Sequence, residues 1–137
     1  MAFEGPVDDR LAIHELVTAY GDAVSCQDAD AWGAVWAEDS VWEIPGYPNL
    51  EHVEGREAIV AGWVESMKPL PMNINIQTLG ALTVTGETAT GRTWASELVT
   101  DDKGDTYRAT GRYDDEFIKR DGRWYFKKRV YTALHSG

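Results

Sequence analysis

Residues Gly111–Leu134 read GRYDDEFIKRDGRWYFKKRVYTAL, and this stretch decides the fold because its pattern predicts a long β-hairpin. In the first arm, Tyr113, Asp115 and Phe117 alternate with charged residues, as expected for a strand with two unlike faces. The Asp-Gly pair at 121–122 is a strong signal for a two-residue hairpin turn. The return arm is rich in aromatic and β-branched residues, which favour strands.

The return arm raises a question of charge. One of its two faces carries Tyr125, Lys127, Arg129 and Tyr131. If that face points inward, it brings an arginine into the interior, and burying an arginine costs several kcal/mol unless it is paired. Two interpretations remain open: Arg129 serves a bound molecule, or it pairs with an acidic side chain.

Composition narrows the class of protein. The length of 137 residues predicts one domain, 1–137, and 43% hydrophobic residues with six tryptophans are enough for a core. The single cysteine, Cys26, excludes an internal disulfide framework and favours a reducing compartment. The sequence shows no signal peptide and no apolar run of about 20 residues, so we expect a soluble, cytoplasmic protein.

The net charge of −10 argues against two kinds of partner. Nucleic acid binding needs a basic face, and anionic membranes attract basic segments. The acidic balance does not oppose binding of a neutral small molecule. We therefore predict no nucleic acid partner and no membrane partner.

The rest of the chain predicts helices followed by a meander of strands. Apolar stripes predict three helices, at 10–27, 31–36 and 56–68. Four alternating segments predict long strands, at 72–85, 87–100, 106–118 and 124–133. Earlier in the chain we expect a break at 37–40, a short strand at 41–44 and a connector at 51–55.

This order of elements predicts an α+β fold. Three N-terminal helices would pack on one face of a curved antiparallel sheet. Such a sheet forms a cone, or α+β barrel, with one wide mouth and an interior pocket.

Several strings resemble those of a known family when taken in order. They are AYGDAVSCQDADAW at the end of the first helix, AVWAEDSVW, EGREAI, TVTGETATGR and GRYDDEFIKRDGRWYFKKR. Together they resemble the SnoaL-like branch of the nuclear transport factor 2-like superfamily over about 11–129. The resemblance implies the cone-shaped fold. The superfamily includes dehydratases, isomerases, cyclases, dehydrohalogenases, epoxide hydrolases and binding modules, so the fold does not fix the chemistry.

The most similar relatives are of the scytalone dehydratase and hexachlorocyclohexane dehydrochlorinase types. They use a histidine base on the first meander strand and an aspartate near the end of the first helix. Asn75 stands at the histidine position and Ser25 at the aspartate position, so both dyad residues are replaced. The resemblance also matches Tyr20, Trp42 and Arg129 to a tyrosine, a tryptophan and an arginine of the relatives' pockets.

The polar candidates depend on strand register. Asn75 cannot act as a general base, but its amide can orient a carbonyl or a water. Asn75 shares a strand face with Asn73 and Gln77, and this face either lines the pocket or faces solvent. Glu97 and Trp94 are alternatives, because a slip of one residue turns one outward and the other inward.

The acid candidates are Asp115 and Glu97. A carboxyl in an apolar pocket has a raised pKa and can carry a proton near neutrality. The alternative is a structural salt bridge between either acid and Arg129.

The remaining candidates are aromatic residues, histidines and the cysteine. Tyr20, Tyr113 and Tyr131 carry hydroxyls that could polarise a substrate oxygen or satisfy each other, and Trp63 could border the cavity. The spacing of His14, His52 and His135 cannot form a local metal triad, so we expect no metal. His135 could fold over the pocket mouth, although a frayed terminus is favoured, and Cys26 is expected to be a small buried thiol.

These observations predict a cofactor-independent lyase or isomerase that acts on a small hydrophobic, oxygen-bearing, cyclic or aromatic molecule. Tyr20 and Asn75 would polarise the substrate oxygen, Arg129 would stabilise negative charge, and Asp115 or Glu97 would transfer the proton. The alternatives are a non-catalytic binding module and the small subunit of a ring-hydroxylating dioxygenase. A homodimer or higher homo-oligomer is expected, since exposed apolar sheet faces are often covered by self-association.

Overall fold

A curved seven-stranded sheet and three helices make up the part of the chain that the structure, a computed structural model, describes, residues 2–137. The helices are α1 (Val7–Cys26), α2 (Ala29–Ala34) and α3 (Arg56–Met67). The strands are β1 (Phe3–Glu4), β2 (Trp36–Glu43), β3 (Val53–Glu54), β4 (Met72–Thr85), β5 (Thr88–Thr100), β6 (Thr106–Arg120) and β7 (Arg123–Ser136). The predicted α+β class, with helices across one face of a curved, unclosed sheet, is confirmed.

The four long strands form the predicted antiparallel meander, and the short strands extend it at both edges. The sheet order is β1-β4-β5-β6-β7-β2-β3, in which β1 runs parallel to β4 and β2 runs parallel to β7. The meander therefore forms the middle of the sheet. Of the helices in residues 2–137, none is both long and apolar enough to span a bilayer.

Two local predictions are wrong and one strand was not predicted, each where a short segment gains strand structure from a neighbour. The expected break at 37–40 lies inside β2, and the expected connector at 51–55 contains β3. The strand β1 was not predicted. A strand of two residues has no periodic pattern of its own, and these strands form because a neighbour supplies hydrogen-bond partners.

Helix α1 is attached closely to strand β4. A Cβ atom at Gly21 would lie 2.8 Å from the backbone oxygen of Asn75, so only glycine permits this approach. One turn later, the hydroxyl of Ser25 accepts a hydrogen bond from the backbone N–H of Asn75 at 2.9 Å and donates to the Gly21 carbonyl at 2.9 Å. The helix therefore fixes the position of the strand that carries the cavity amides.

The β6–β7 hairpin contains the predicted turn. Asp121 and Gly122 have φ values of 51° and 77°, which two-residue turns of type I′ require. Farther along, Phe117 pairs with Phe126 while Glu116 pairs with Lys128, so Lys127 is an extra residue in β7. This β-bulge changes which side chains of β7 point inward.

The bulge corrects the prediction that one face of β7 carries Tyr125, Lys127, Arg129 and Tyr131 throughout. Before the bulge, the buried side chains are the even-numbered Trp124 and Phe126. After it, the odd-numbered Arg129 is buried. Arg129 therefore enters the interior while Tyr125 and Lys127 stay outside the core.

Arg129 is fully buried, and an acid neutralises it. Its Nε donates to Asp115 Oδ1 at 2.7 Å and its Nη2 donates to Asp115 Oδ2 at 3.1 Å. The hydroxyl of Thr93 donates to the same carboxylate at 2.7 Å. The guanidinium carbon lies 4.5 Å, 3.8 Å and 4.3 Å from the ring centres of Tyr20, Tyr113 and Phe126. Of the two interpretations of Arg129, the structure shows the pair with an acid.

The ion pair gives a stability prediction. Asp115→Asn leaves the Arg129 charge buried without its counter-ion, and breaking such a pair costs about 3–5 kcal/mol of unfolding free energy. Urea unfolding monitored by tryptophan fluorescence measures the loss. Asp114→Asn is the matched control, since Asp114 is exposed and lies 3.6 Å from Arg112, and we expect it to change stability by less than about 1 kcal/mol. Equal effects of the two variants would contradict this account.

The close approach of α1 to β4 gives a second prediction. Alanine favours helix over glycine by about 1 kcal/mol, but a Cβ at Gly21 meets rigid backbone. We expect Gly21→Ala to destabilise the protein by about 1–3 kcal/mol, the range for overpacking. Gly62→Ala in α3 is the control, because its Cβ would contact only a Leu50 methyl group at 3.1 Å. Thermal unfolding compares the two, and a stabilising Gly21→Ala would refute the proposed contact.

Candidate active site

A cavity of about 360 Å³ lies between the concave face of the sheet and helices α1 and α3. Its inner wall is formed largely by aromatic side chains, namely Tyr20, Trp42, Trp63, Tyr113 and Tyr131. The more exposed residues Tyr47, Tyr107 and His135 lie around its opening. The cavity is therefore largely apolar, with a small number of polar groups.

Glu97 supplies the only carboxyl group among the described residues that line the cavity. It pairs with Asn75 across the β4–β5 ladder, and its inward neighbours on β5 are Ala95 and Val99, both buried. Trp94 then points to the opposite face, where it is 44% exposed. Trp94, the alternative to Glu97, therefore lies outside this cavity, because strand alternation turns it outward whenever Glu97 points inward.

The Glu97 carboxyl accepts a hydrogen bond at Oε2 from the Asn73 side chain at 2.7 Å. Burial raises the pKa of this carboxyl above its ordinary value, and hydrogen bonds from Asn73 and Asn75 oppose part of that rise. A carboxyl with a raised pKa can exist in either protonation state near neutrality. Glu97 is thus chemically suited to accept and return a proton.

Three tyrosine hydroxyls accompany this carboxyl. Burial raises the pKa of Tyr20 and raises that of Tyr113 well above its ordinary value, and the centres of their rings lie 6.3 Å apart. Burial also raises the pKa of Tyr131, whose ring lies 4.9 Å from that of Tyr113. All three therefore remain neutral and can act as hydrogen-bond donors.

Two predicted catalytic residues lie behind the wall of the cavity. Asp115 and Arg129 are not among the residues that line it, and neither side chain has exposed surface. Arg129 uses its donors on Asp115 and Gln77, and Asp115 accepts from Arg129 and Thr93. The prediction that these two residues act directly on a substrate is corrected: they form a structural ion pair.

The other predicted residues divide between the cavity and its support. Tyr20, Asn75, Trp42 and Trp63 line the cavity, as do Glu97, Tyr113 and Tyr131. Ser25 does not, because its hydroxyl is used by the backbone of α1 and β4. Gln77 also lies outside the lining, where it joins Asn75 to Arg129. The predictions that Ser25 and Gln77 contact a substrate are therefore not supported by their positions.

Sequence reasoning missed or misplaced several residues. Tyr47 and Tyr107 border the opening, and no sequence pattern singled them out. His135 was expected in a frayed terminus, but it lies in β7, pairs with Thr110 of β6 and lines the cavity. Cys26 was expected to be buried and is exposed at the end of α1. Residues 2–137 contain no cluster of three or more histidine, cysteine or acidic side chains that could hold a metal ion.

Comparison with solved structures finds similar proteins over nearly the whole chain. A candidate aromatic ring hydroxylase from Novosphingobium aromaticivorans is 25% identical, with a TM-score of 0.86, and the match covers 96% of this chain and 92% of that one. A candidate scytalone dehydratase from the same organism is 18% identical, with a TM-score of 0.84 and coverage of 96% and 87%. A type-3 hexachlorocyclohexane dehydrochlorinase from Novosphingobium barchaimii is 20% identical, with a TM-score of 0.80 and coverage of 96% and 90%.

The identities of the last two proteins support a shared fold and leave activity open. Comparison with curated proteins gives no significant match. The family model for the SnoaL-like domain, in contrast, matches residues 6–130, which is most of the chain. The chain therefore belongs to the SnoaL-like domain family.

Proposed function

We propose that this protein is a cofactor-independent lyase or isomerase that moves a proton on a small cyclic or aromatic ketone or alcohol. The observation that carries the proposal is the Glu97 carboxyl, which lines an otherwise largely apolar cavity and has a raised pKa. A proton carrier at this place needs no metal or organic cofactor to act as a general base.

The proposed chemistry is an elimination from a β-hydroxy ketone. Ionised Glu97 takes the proton from the carbon next to the carbonyl, and the C–H electron pair forms an enolate. A tyrosine hydroxyl of the inner wall, Tyr20 or Tyr131, donates a hydrogen bond to the enolate oxygen. The enolate then expels the hydroxyl group, which leaves as water after taking the proton back from Glu97. An isomerase would instead return that proton to a different carbon.

The cavity wall supports a neutral, ring-bearing substrate. Among the described residues no lysine or arginine lines the cavity, so an anionic substrate would meet Glu97 without a compensating cation. Aromatic walls such as Trp42 and Trp63 suit flat apolar rings, and the few polar groups can orient one oxygen.

Glu97 also provides a proton carrier in place of the histidine–aspartate dyad, whose two residues are replaced in this chain. Asn75 stands where the relatives carry the histidine base, and Glu97 is its direct partner on the neighbouring strand. We infer that the proton carrier has moved by one strand, from β4 to β5. The structural neighbours described as a scytalone dehydratase and a hexachlorocyclohexane dehydrochlorinase support elimination chemistry as the first class to test.

A second candidate function is a non-catalytic binding module of the same fold. The favouring observation is that Ser25 and Asn75 replace the dyad and that Asp115 is locked to Arg129. Glu97 distinguishes the two functions, because it lines the cavity without an arginine partner. A binding module would take up the ring-bearing molecule and leave it unchanged.

The convex face of the sheet supports a homodimer as part of the proposal. Ile74, Ile76, Trp94 and Leu134 are 41–60% exposed. Three of them border one shallow groove. A second copy of this chain would cover that apolar surface. We also propose a cytoplasmic location, from the single free cysteine.

The proton-carrier role gives an activity prediction. 3-Hydroxy-1-tetralone should lose water in the presence of the protein and tautomerise to 1-naphthol, which is detected by its fluorescence. We expect Glu97→Gln to lower kcat by about 100-fold or more, the usual contribution of a general acid–base. Glu116→Gln is the control, since Glu116 is exposed on the convex face of β6, and should leave the rate unchanged. A Glu97→Gln variant as active as the wild type would eliminate this role.

The buried carboxyl gives a prediction that needs no substrate. Its pKa is raised in the folded state, so the folded protein binds the proton more tightly than the unfolded chain. The wild type therefore loses stability from this group as the pH rises from about 4.3, the unfolded value, through the folded pKa. We expect the unfolding free energy of Glu97→Gln minus that of the wild type to increase between pH 4 and pH 8. Urea titrations at several pH values measure the difference, and a pH-independent difference would mean that folding does not raise the pKa of Glu97.

A further inference from the structure

A chain of hydrogen bonds runs from Arg129, behind the cavity, to Asn75, which faces Glu97 across the β4–β5 ladder. Arg129 Nη1 donates to Gln77 Oε1 at 2.8 Å. Gln77 Nε2 donates to Asn75 Oδ1 at 3.0 Å. Asn75 is the direct cross-strand partner of Glu97, and its side chain lowers the pKa of the Glu97 carboxyl. Two amides thus separate the carboxyl from the buried cation.

The direction of every bond in this chain follows from its first member. A guanidinium has only donors, so Gln77 must present its oxygen to Arg129. Its NH₂ group then faces the other way and requires an acceptor, which Asn75 supplies with its oxygen. The NH₂ group of Asn75 is left for Glu97, which accepts it as a carboxylate.

The orientation of the Arg129 guanidinium is fixed. Arg129 is held by two hydrogen bonds to Asp115 and lies against the rings of Tyr20, Tyr113 and Phe126. Strand β4 supplies the two amides at alternate positions, so both point to the same face of the sheet. An amide in solution rotates freely between its two orientations, but here only one orientation satisfies every partner.

We propose that Gln77 is a positioning residue through which the buried Arg129 fixes the direction of the Asn75 amide and so presents an N–H donor to the Glu97 carboxylate. Arg129 then influences the Glu97 carboxylate through the two amides, although it does not line the cavity. The importance of this positioning for turnover rests on the proposed function of Glu97, whereas the positioning itself does not.

The expected consequence is electrostatic. Donors directed at the carboxylate stabilise its ionised form and oppose the effect of burial. The other titratable groups around Glu97 are Tyr20 from α1, Tyr107 and Tyr113 from β6, and Tyr131 and His135 from β7. The tyrosines stay neutral, so the amides are the groups that hold the carboxylate in an ionisable state.

The test is a ¹³C NMR titration of the Glu97 side-chain carboxyl in the wild type and in Gln77→Met. Methionine has a similar length, but it has no amide to accept a hydrogen bond from Arg129 and donate one to Asn75. We expect the titration midpoint of Glu97 to rise by about one pH unit, which corresponds to the loss of a weak hydrogen bond to a charged group. An unchanged midpoint in a folded Gln77→Met variant would overturn the proposal.

Thr93→Val is the matched control. It removes a buried hydrogen bond to Asp115 in which neither amide takes part. We expect it to leave the Glu97 midpoint in place. If Thr93→Val raises the midpoint as much as Gln77→Met does, general loosening of the core explains the shift and the positioning role is refuted.

A measurement on the wild type keeps the test independent of whether a variant folds. The side-chain ¹⁵N–H₂ signals of Asn75 and Gln77 should both shift with the midpoint of Glu97, because they lie in one hydrogen-bonded chain. A Gln77 signal that stays constant through the Glu97 titration would show that the two side chains are not coupled, and it would overturn the proposal. None of these readouts uses turnover. A protein that fails to dehydrate the tetralone can therefore still show the coupled shifts, and the two proposals fail separately.

Discussion

The buried pair of Arg129 and Asp115 is the interaction on which the rest of the structure depends. Neither side chain has any exposed surface, and two such charges are stable in an interior only when every donor and acceptor finds a partner. The surroundings satisfy that demand with a hydroxyl from β5, an amide from β4 and three aromatic rings. The inner layer of the cone is therefore arranged around a charge that never meets the cavity.

This arrangement separates two carboxyl groups that look alike in the sequence. Asp115 accepts a hydrogen bond from the Arg129 guanidinium at 2.7 Å, whereas burial raises the pKa of Glu97, which has only amides as partners. Asp115 has a structural role, whereas Glu97 can bind and release a proton. Different surroundings thus give two carboxyl groups of one fold different roles.

The sequence predicted the meander, the Asp-Gly turn and the fold class because each depends on local patterns that tertiary contacts do not overrule. It could not predict the register of β5 or the bulge in β7, since both are set by pairing with a neighbouring strand. The choice between Glu97 and Trp94 depended on the first, and the separation of Arg129 from Tyr125 depended on the second. Aromatic residues at the opening, such as Tyr47 and Tyr107, come together only through the three-dimensional fold.

The extra residue in β7 also bears on how such a pocket can diversify. Up to Lys127 the strand follows one parity, and from Lys128 to Ala133 it follows the other. Removal of Lys127 would close the bulge and leave Arg129, Tyr131 and Ala133 on the inward side. Regular pairing with Lys127 retained would instead turn Lys128, Val130 and Thr132 inward. The bulge, as much as the composition of the strand, therefore decides which side chains form this wall. Gain or loss of a bulge at this point would exchange the whole set without a single substitution.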